Sequence, residues 1–389
     1  MLRDAGDRDA ADVTSADTPT PMDARAPADA ANDSGPRADT AVIIDAPNGP
    51  DVAPPPVSGL APPGVRPNAP DARGSQTLDL PAEADVTLRF DAAPDEHVGL
   101  RLDFTPPTAA VVLSVDRWDG ARPVELWRTD GGAGLRVLAV FDPRGRRTFW
   151  ARIRSAVTLG GARLTVVRTP FTDGPRCEGD CARLLQLPLR IDRAEDGYDH
   201  TPSTIMRYQF GRRDLVMFIR WAGRQMASQG RRHFVPEDLS QWDGDIPGRD
   251  RGALRHASHQ RGKDVDLSLY GADGEAPWRS YCTARAGSDG RECVAGTARD
   301  YDGVANAALF APFFATGRVT MCFLDRELIA VTRAALPRAT AMGLVPSVAL
   351  ARYTDGSGLQ HWPNHDNHIH LRVSEAAPGA LVYEPFAPP

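Results

Sequence analysis

Between residues 75 and 170, apolar side chains come in short alternating or continuous runs separated by turn-forming residues. The runs are Thr77–Leu80, Asp85–Phe90, Val98–Phe104, Ala110–Val115, Val124–Trp127, Leu135–Val140, Thr148–Ile153 and Arg163–Val167. A two-residue period bounded by Pro, Gly and Asp predicts strands, and strands this short and closely spaced predict an all-β sandwich. The segment has one histidine, His97, and no acid–base cluster, which suits a structural or binding role. Beyond residue 175 the period changes. Leu215, Phe218, Ile219, Ala222 and Met226 share a helical face and predict a helix over Asp214–Gln229. A second helix is predicted over Asp325–Gly343, opened by Asp325 and Glu327, kinked near Pro337 and closed by Gly343. With alternating strands between and after these helices, this part reads as α+β. The longest apolar run, Ala307–Ala315, is broken by Pro312 and falls short of the ~20 residues a membrane span needs.

Residues 1–74 show neither period. Asp-Ala recurs, 13 of the chain's 34 prolines fall here, and no aromatic residue precedes Phe90. Such a segment cannot bury enough apolar surface to offset its ordering entropy. It reads as a disordered, proline-stiffened tether. The 389 residues therefore divide into a tether (1–74), a β-sandwich accessory domain (75–172) and an α+β domain (175–389). Met1-Leu2-Arg3-Asp4 leads into polar sequence with no apolar signal region. A tether of this composition nevertheless predicts an anchor upstream of Met1, and so a membrane-tethered, extracytoplasmic protein.

Charge sharpens this division. The first 74 residues hold 12 Asp, no Glu and 6 Arg, out of 51 acids and 45 bases in the chain, so the rest is balanced at 39 of each. The net charge of −6 belongs to the tether. A neutral body argues against nucleic acid, which needs a basic footprint, and against attachment to acidic lipid. Lys263 is the only lysine, a bias that reads as genome composition. Of the five cysteines, Cys177 and Cys181 are four apart, Cys282 and Cys293 flank a turn, and Cys322 is left over. Two local disulfides plus one buried thiol would suit an oxidising compartment; five reduced thiols is the other reading.

Six of the nine histidines lie in two clusters, His256 and His259, then His361, His365, His368 and His370. Both clusters run into alternating strands. His368, His370 and Arg372 share one face, opposite Ile369, Leu371 and Val373; Asp264, Asp266 and Ser268 share one face, opposite Val265, Leu267 and Leu269. If the strands pair, imidazoles meet carboxylates on one side of a sheet. Two His and one Asp suit zinc, and a single anionic ligand leaves the ion positive enough to polarise a carbonyl and acidify water. By facing alone, Asp264 and Asp266 are both candidates.

The residues His256-Ala257-Ser258-His259-Gln260-Arg261-Gly262-Lys263-Asp264-Val265-Asp266 and His365-Asp366-Asn367-His368-Ile369-His370-Leu371-Arg372 resemble the penicillin-insensitive murein endopeptidase family. That family belongs to the lysostaphin/D-alanyl-D-alanine peptidase/hedgehog group of zinc folds. Asp238-Leu239-Ser240-Gln241 also looks like the family's segment before its first motif, and the likeness covers roughly residues 187–373. It implies a small antiparallel-sheet zinc peptidase domain, preceded here by the sandwich and the disordered tail. It implies one Zn2+ held by His259, Asp266 and His370. His368 would stand beside the ion as general base or as donor to the oxyanion, and His256 and His365 would line the same site, with His256 also in reach of the metal. The implied substrate is the peptide stems of peptidoglycan, cut at cross-links in a bacterial periplasm. Arg255 stands where the family has Gly, and no histidine between the motifs offers a second metal site.

Two other functions fit these residues. One is a D,D- or L,D-carboxypeptidase of the same fold; the other is a cell-wall or zinc-binding module without catalysis. Arg207 and Tyr208 precede the first helix and would reach a carboxylate-bearing substrate or serve as packing residues. Trp242 and Trp362 flank the motifs, with burial in the core favoured over a place in the cleft wall.

Overall fold

The computed structural model describes residues 65–66, 74–80 and 85–376, apart from 119–122, 130–133, 143–144, 146, 172–175, 177–180, 192–195, 202–203, 250–251, 253 and 288–289. Nearly all of the predicted tether lies outside the described residues, as does Cys177. Val65–Arg66 (β1), within that segment, pairs in parallel with Thr87 and Leu88.

Every predicted strand of the N-terminal domain is present. They are β2 (Gly74–Asp79), β3 (Asp85–Ala92), β4 (Glu96–Thr105), β5 (Val111–Trp118), β6 (Pro123–Thr129), β7 (Leu135–Val140), β8 (Arg147–Ser155) and β9 (Gly160–Pro170). They form a five-stranded sheet, β1-β3-β8-β5-β6, and a four-stranded sheet, β2-β9-β4-β7, antiparallel except at β1. Alternation buries one face of each sheet against the other. Val86, Leu88 and Phe90 from the first sheet share a core with Leu100, Leu102, Leu164 and Val166 from the second.

This sandwich is joined to the α+β part of the chain. Phe141 and Phe171, at the end of the sandwich, belong to the α+β core, while Leu189 and Met206 complete the sandwich core. The joint is also hydrogen-bonded: Leu189 N donates to Ala139 O (3.2 Å), Gln186 Nε2 to Val137 O (3.2 Å), and His97 Nε2 lies 3.0 Å from Gln186 O.

The α+β part begins with β10 (Leu184–Gln186) and β11 (Phe210–Arg212), paired antiparallel, then α1 (Arg213–Ser228). Its central sheet has the order β12-β17-β15-β16, from β12 (Asp264–Ser268), β15 (Val319–Leu324), β16 (Gln360–His361) and β17 (His368–Val373). A short hairpin, β13 (Ala284–Ala286) and β14 (Arg291–Cys293), stands apart. The apolar run at Ala307–Ala315 proves to be most of α2 (Gly303–Ala315), buried on nearly every side. It shares a core with α1 and with Val265, Leu267, Ile369 and Leu371 on the back of the sheet. No described helix is long and apolar enough to cross a membrane.

α3 (Arg326–Ala341) continues past Pro337, where the sequence predicts a kink, and Asp325 caps it by accepting Glu327 N at 2.8 Å. α4 (Ser347–Thr354) completes the layer. With its apolar face backed by helices, the sheet keeps one polar face, and that face carries the histidines.

Candidate metal centre

The two histidine motifs meet because β12 and β17 pair antiparallel, with Asp266 opposite His370, Asp264 opposite Arg372 and Ser268 opposite His368. Cross-strand neighbours on one face have their Cβ atoms ~5 Å apart, so this register brings carboxylate to imidazole. His259 comes from the loop before β12. Its φ of 57°, with 60° at Arg261, puts two non-glycine residues in the left-handed region, a strain typical of functional sites. Gly262 follows at φ 64°, where a Cβ would come within 2.5 Å of Leu184 Cδ2 and 2.6 Å of Arg212 N. Its carbonyl accepts Arg212 N (2.9 Å), docking the loop on β11.

His256, His259 and Asp266 present ligand atoms within 4.8 Å of one another, a group able to hold a metal ion. His259, Asp266 and His370 make a tighter triangle: His259 Nε2 to Asp266 Oδ1 is 3.2 Å, His370 Nδ1 to Asp266 Oδ1 is 2.9 Å, and His259 Nε2 to His370 Nδ1 is 2.9 Å. Donors on a tetrahedral ion with zinc-like bond lengths stand about 3.3 Å apart, so little movement is needed.

The outer nitrogens decide the chemistry of that triangle. His259 Nδ1 lies 3.2 Å from Leu239 O, and His370 Nε2 lies 3.1 Å from Asp264 Oδ1, so each outer nitrogen donates its proton to an oxygen. The inner nitrogens of two neutral imidazoles and a carboxylate oxygen then converge as three acceptors. Buried acceptors in contact need a cation or a proton between them. In the metal-free chain a proton takes the place: burial opposes charge on His370, but the hydrogen bonds and charges of Asp264 and Asp266 override it and raise its pKa to about 9.

Asp264, the rival ligand by facing, is turned away from the triangle. It takes Arg372 through two bonds, Nε to Oδ1 (2.7 Å) and Nη2 to Oδ2 (3.0 Å), besides His370. These contacts overcome its burial and hold its carboxyl down at about 2. A carboxylate that fixes the outer nitrogen of a ligating histidine sets its tautomer and orientation.

The other predicted histidines surround this group. His256 Nε2 lies 2.9 Å from Asp238 Oδ2, and its Nδ1 lies 3.8 Å from Asp266 Oδ2. Burial opposes its charge, yet Asp238 and Asp266 leave it more basic than an ordinary imidazole. His368 Nδ1 donates to Asn367 Oδ1 (2.6 Å), which aims its Nε2 lone pair at the site, 3.8 Å from Asp266 Oδ2. Burial pushes His368 down to about 4, against the pull of Asp266. His365 donates Nδ1 to Pro363 O (2.7 Å), stands 4.6 Å from the His368 ring, and is held neutral by burial first and by its histidine neighbours second. His361 is not brought in; its Nδ1 accepts Arg326 N (3.0 Å) at the start of α3.

Aromatic rings wall the centre. Trp278 stacks on His368 (5.1 Å, 12°), Phe323 stacks on His370 (5.6 Å, 20°), and Trp362 stacks on Phe323 (5.1 Å, 24°). Trp242 and Trp362 are 40% and 45% exposed, so neither is the core residue expected of it. Tyr208 is buried and accepts Arg207 Nη2 on its hydroxyl (3.0 Å). The segment carrying Trp278 is tied down by the Cys282–Cys293 disulfide, one of the two expected, by Ser280 donating to Asp366, and by an Arg291–Asp366 ion pair (3.2 Å). Cys322 is buried and free, as expected. Trp278, Asn367 and the roles of Asp238 and Asp264 were not read from the sequence. No spacing marks Trp278, which lies far from both motifs; the face shared with Asp266 did mark Asp264.

No family model and no curated protein matches the chain. Among solved structures, a periplasmic inhibitor of g-type lysozyme from Aeromonas hydrophila is 14% identical, covering 27% of this chain and 96% of its own, with a TM-score of 0.21. The Yersinia pseudotuberculosis-derived mitogen is 15% identical, covering 24% and 82%, with a TM-score of 0.20. The pre-peptidase C-terminal domain of a Bacillus anthracis collagenase is 4% identical, covering 28% and 100%, with a TM-score of 0.20. Likenesses this slight bear on neither fold nor function.

Proposed function

We propose that this protein is a zinc-dependent peptidase of the penicillin-insensitive murein endopeptidase type, cutting peptide cross-links of peptidoglycan outside the cytoplasm. The observation that carries the reading is the convergence of three buried acceptor atoms, His259 Nε2, Asp266 Oδ1 and His370 Nδ1, with both outer nitrogens committed to oxygens. The donor set, two imidazoles and one carboxylate, fits zinc and leaves room for a further ligand. When bound, zinc supplies Lewis acidity, polarising a carbonyl and lowering the pKa of water.

The chain's own residues do the rest. His368 Nε2, its lone pair aimed by the Asn367 bond and its ring held by Trp278, takes a proton as general base. His256, kept basic by Asp238 and Asp266, carries the proton that a leaving amine requires. His365 backs His368 as a neutral ring, so that no second positive charge competes with the ion. The Cys282–Cys293 disulfide supports an oxidising compartment, where the substrate is found.

The test is metal analysis of the full chain followed by digestion of purified sacculi with product masses. One zinc per chain and release of monomers from cross-linked dimers is the expected result. Shortened stems without monomers would assign a carboxypeptidase, and zinc without hydrolysis a binding module. His368→Ala should keep the zinc and lose at least about 100-fold in turnover; full activity in that variant would overturn its role.

A further inference from the structure

Arg255 stands where the resembled family has Gly, and its guanidinium shares a carboxylate oxygen of Asp238 with His256. We infer that Arg255 is a specificity residue of the same site, reading a free carboxylate on the substrate beside the amide to be cut and discriminating against the carboxamide. This rests on the peptidase reading above.

Arg255 Nε donates to Asp238 Oδ2 at 2.6 Å, the same oxygen that His256 Nε2 meets at 2.9 Å. One buried carboxylate oxygen thus holds the guanidinium beside an imidazole of the metal group. The backbone is pinned too, with Arg255 N donating to Pro247 O (3.0 Å), and the guanidinium lies 5.9 Å from the buried Tyr208 ring.

The manner of the Asp238 contact separates this arginine from a structural one. Arg372 spends its fork on both oxygens of Asp264. Arg255 gives Asp238 only Nε, and the buried Oδ1 of Asp238 has no hydrogen-bond partner among the described residues. Its two terminal amino groups have no partner among the described residues, and the side chain is 45% exposed. A guanidinium fixed at Nε, with its Nη groups uncommitted among the described residues, matches a carboxylate in plane, charge and spacing. A carboxamide offers one acceptor and no charge.

Two measurements on the full, zinc-loaded chain test this. Binding is measured by calorimetry with a stem peptide that lacks the scissile bond, prepared as acid and as amide. Hydrolysis is measured as kcat/KM on the cross-linked peptide in the same two forms. Wild type should favour the acid by about tenfold or more, the cost of losing a charge-assisted bond. Arg255→Gly should treat acid and amide alike while retaining zinc, and Arg255→Lys should keep part of the preference. Equal binding of acid and amide by wild type, or a preference that survives Arg255→Gly, overturns the inference. An Arg255-dependent preference in a chain that cuts nothing upholds it and removes the peptidase reading; hydrolysis with no preference does the reverse.

Discussion

Replacing Asp264 by Asn preserves the shape of a fully buried side chain and removes the charge that His370 Nε2 and both arms of Arg372 share. Asn keeps one acceptor oxygen, which can still meet His370 Nε2 and Arg372 Nε as Asp264 Oδ1 does, but it sets an amide NH2 against Arg372 Nη2 and removes the charge that holds His370 in its tautomer. Loss of an outer-shell carboxylate costs about 10–100-fold in metal affinity. In the metal-free chain, breaking a buried ion pair costs roughly 3–5 kcal/mol, and Arg372, being partly exposed, places the loss at the lower end. A second effect opposes the first. With Asp264 present, His370 keeps its proton up to about pH 9, and a metal must displace it. Asp264→Asn lowers that pKa, so proton competition weakens and part of the affinity loss is hidden at pH 7. The gap between wild type and variant should therefore widen from pH 7 to pH 9.5. Competition against a zinc chelator across that range measures the gap, and urea unfolding with chelator present measures the stability cost. Zinc affinities within twofold of each other at pH 9.5 would refute Asp264 as the residue that orients His370.

Other consequences stem from burial and backbone. His97 and His200 are pushed down to about 4, chiefly by burial, while in the unfolded chain they titrate near 6.5. The unfolded state then binds more protons between those values, so stability is full above pH 6.5 and falls on the way to pH 4, each group contributing on the order of 3 kcal/mol. A urea midpoint that stays flat from pH 7 to pH 4.5, or a slope unchanged in His97→Gln, would contradict this. Gly262→Ala forces a Cβ against Leu184 and Arg212 N at positive φ and should cost more than about 1 kcal/mol; an unchanged melting temperature would show that the loop before β12 can shift. Cys282→Ser opens a crosslink of sequence separation 11 and should cost about 3 kcal/mol on the chain-entropy account. Equal melting temperatures for the two proteins under non-reducing conditions would rule that out.

Much of the fold is written in local pattern. Eight of the nine described strands of the sandwich, all but β1, stand where alternation placed them, because one buried face needs an apolar residue at every second position. α1 and α3 lie within a residue or two of their predicted bounds, since an apolar stripe and the acidic Asp325 cap are local signals. α2 carried no such stripe. Buried on nearly every side, it is apolar all round, so only its length and surroundings distinguish it.

The histidine motifs and the polar face of each strand were legible for the same reason, since residue type and a two-residue period are properties of the chain. Tertiary structure alone decided what those residues do. Asp264 and Asp266 occupy the same face two residues apart; Arg372, across the strand pair, takes one and leaves the other facing His259 and His370. Trp242 and Trp362, expected in the core, lie exposed, and Trp278 reaches His368 from a segment with no motif. Which nitrogen of each imidazole faces inward depends on Leu239 and Asp264, both remote in sequence from the histidines they orient or turned toward them only by strand pairing. Periodicity reports which side of an element is buried, because burial acts on one element at a time. Ligand geometry depends on register and on partners from several elements at once, and those exist only when the chain is folded.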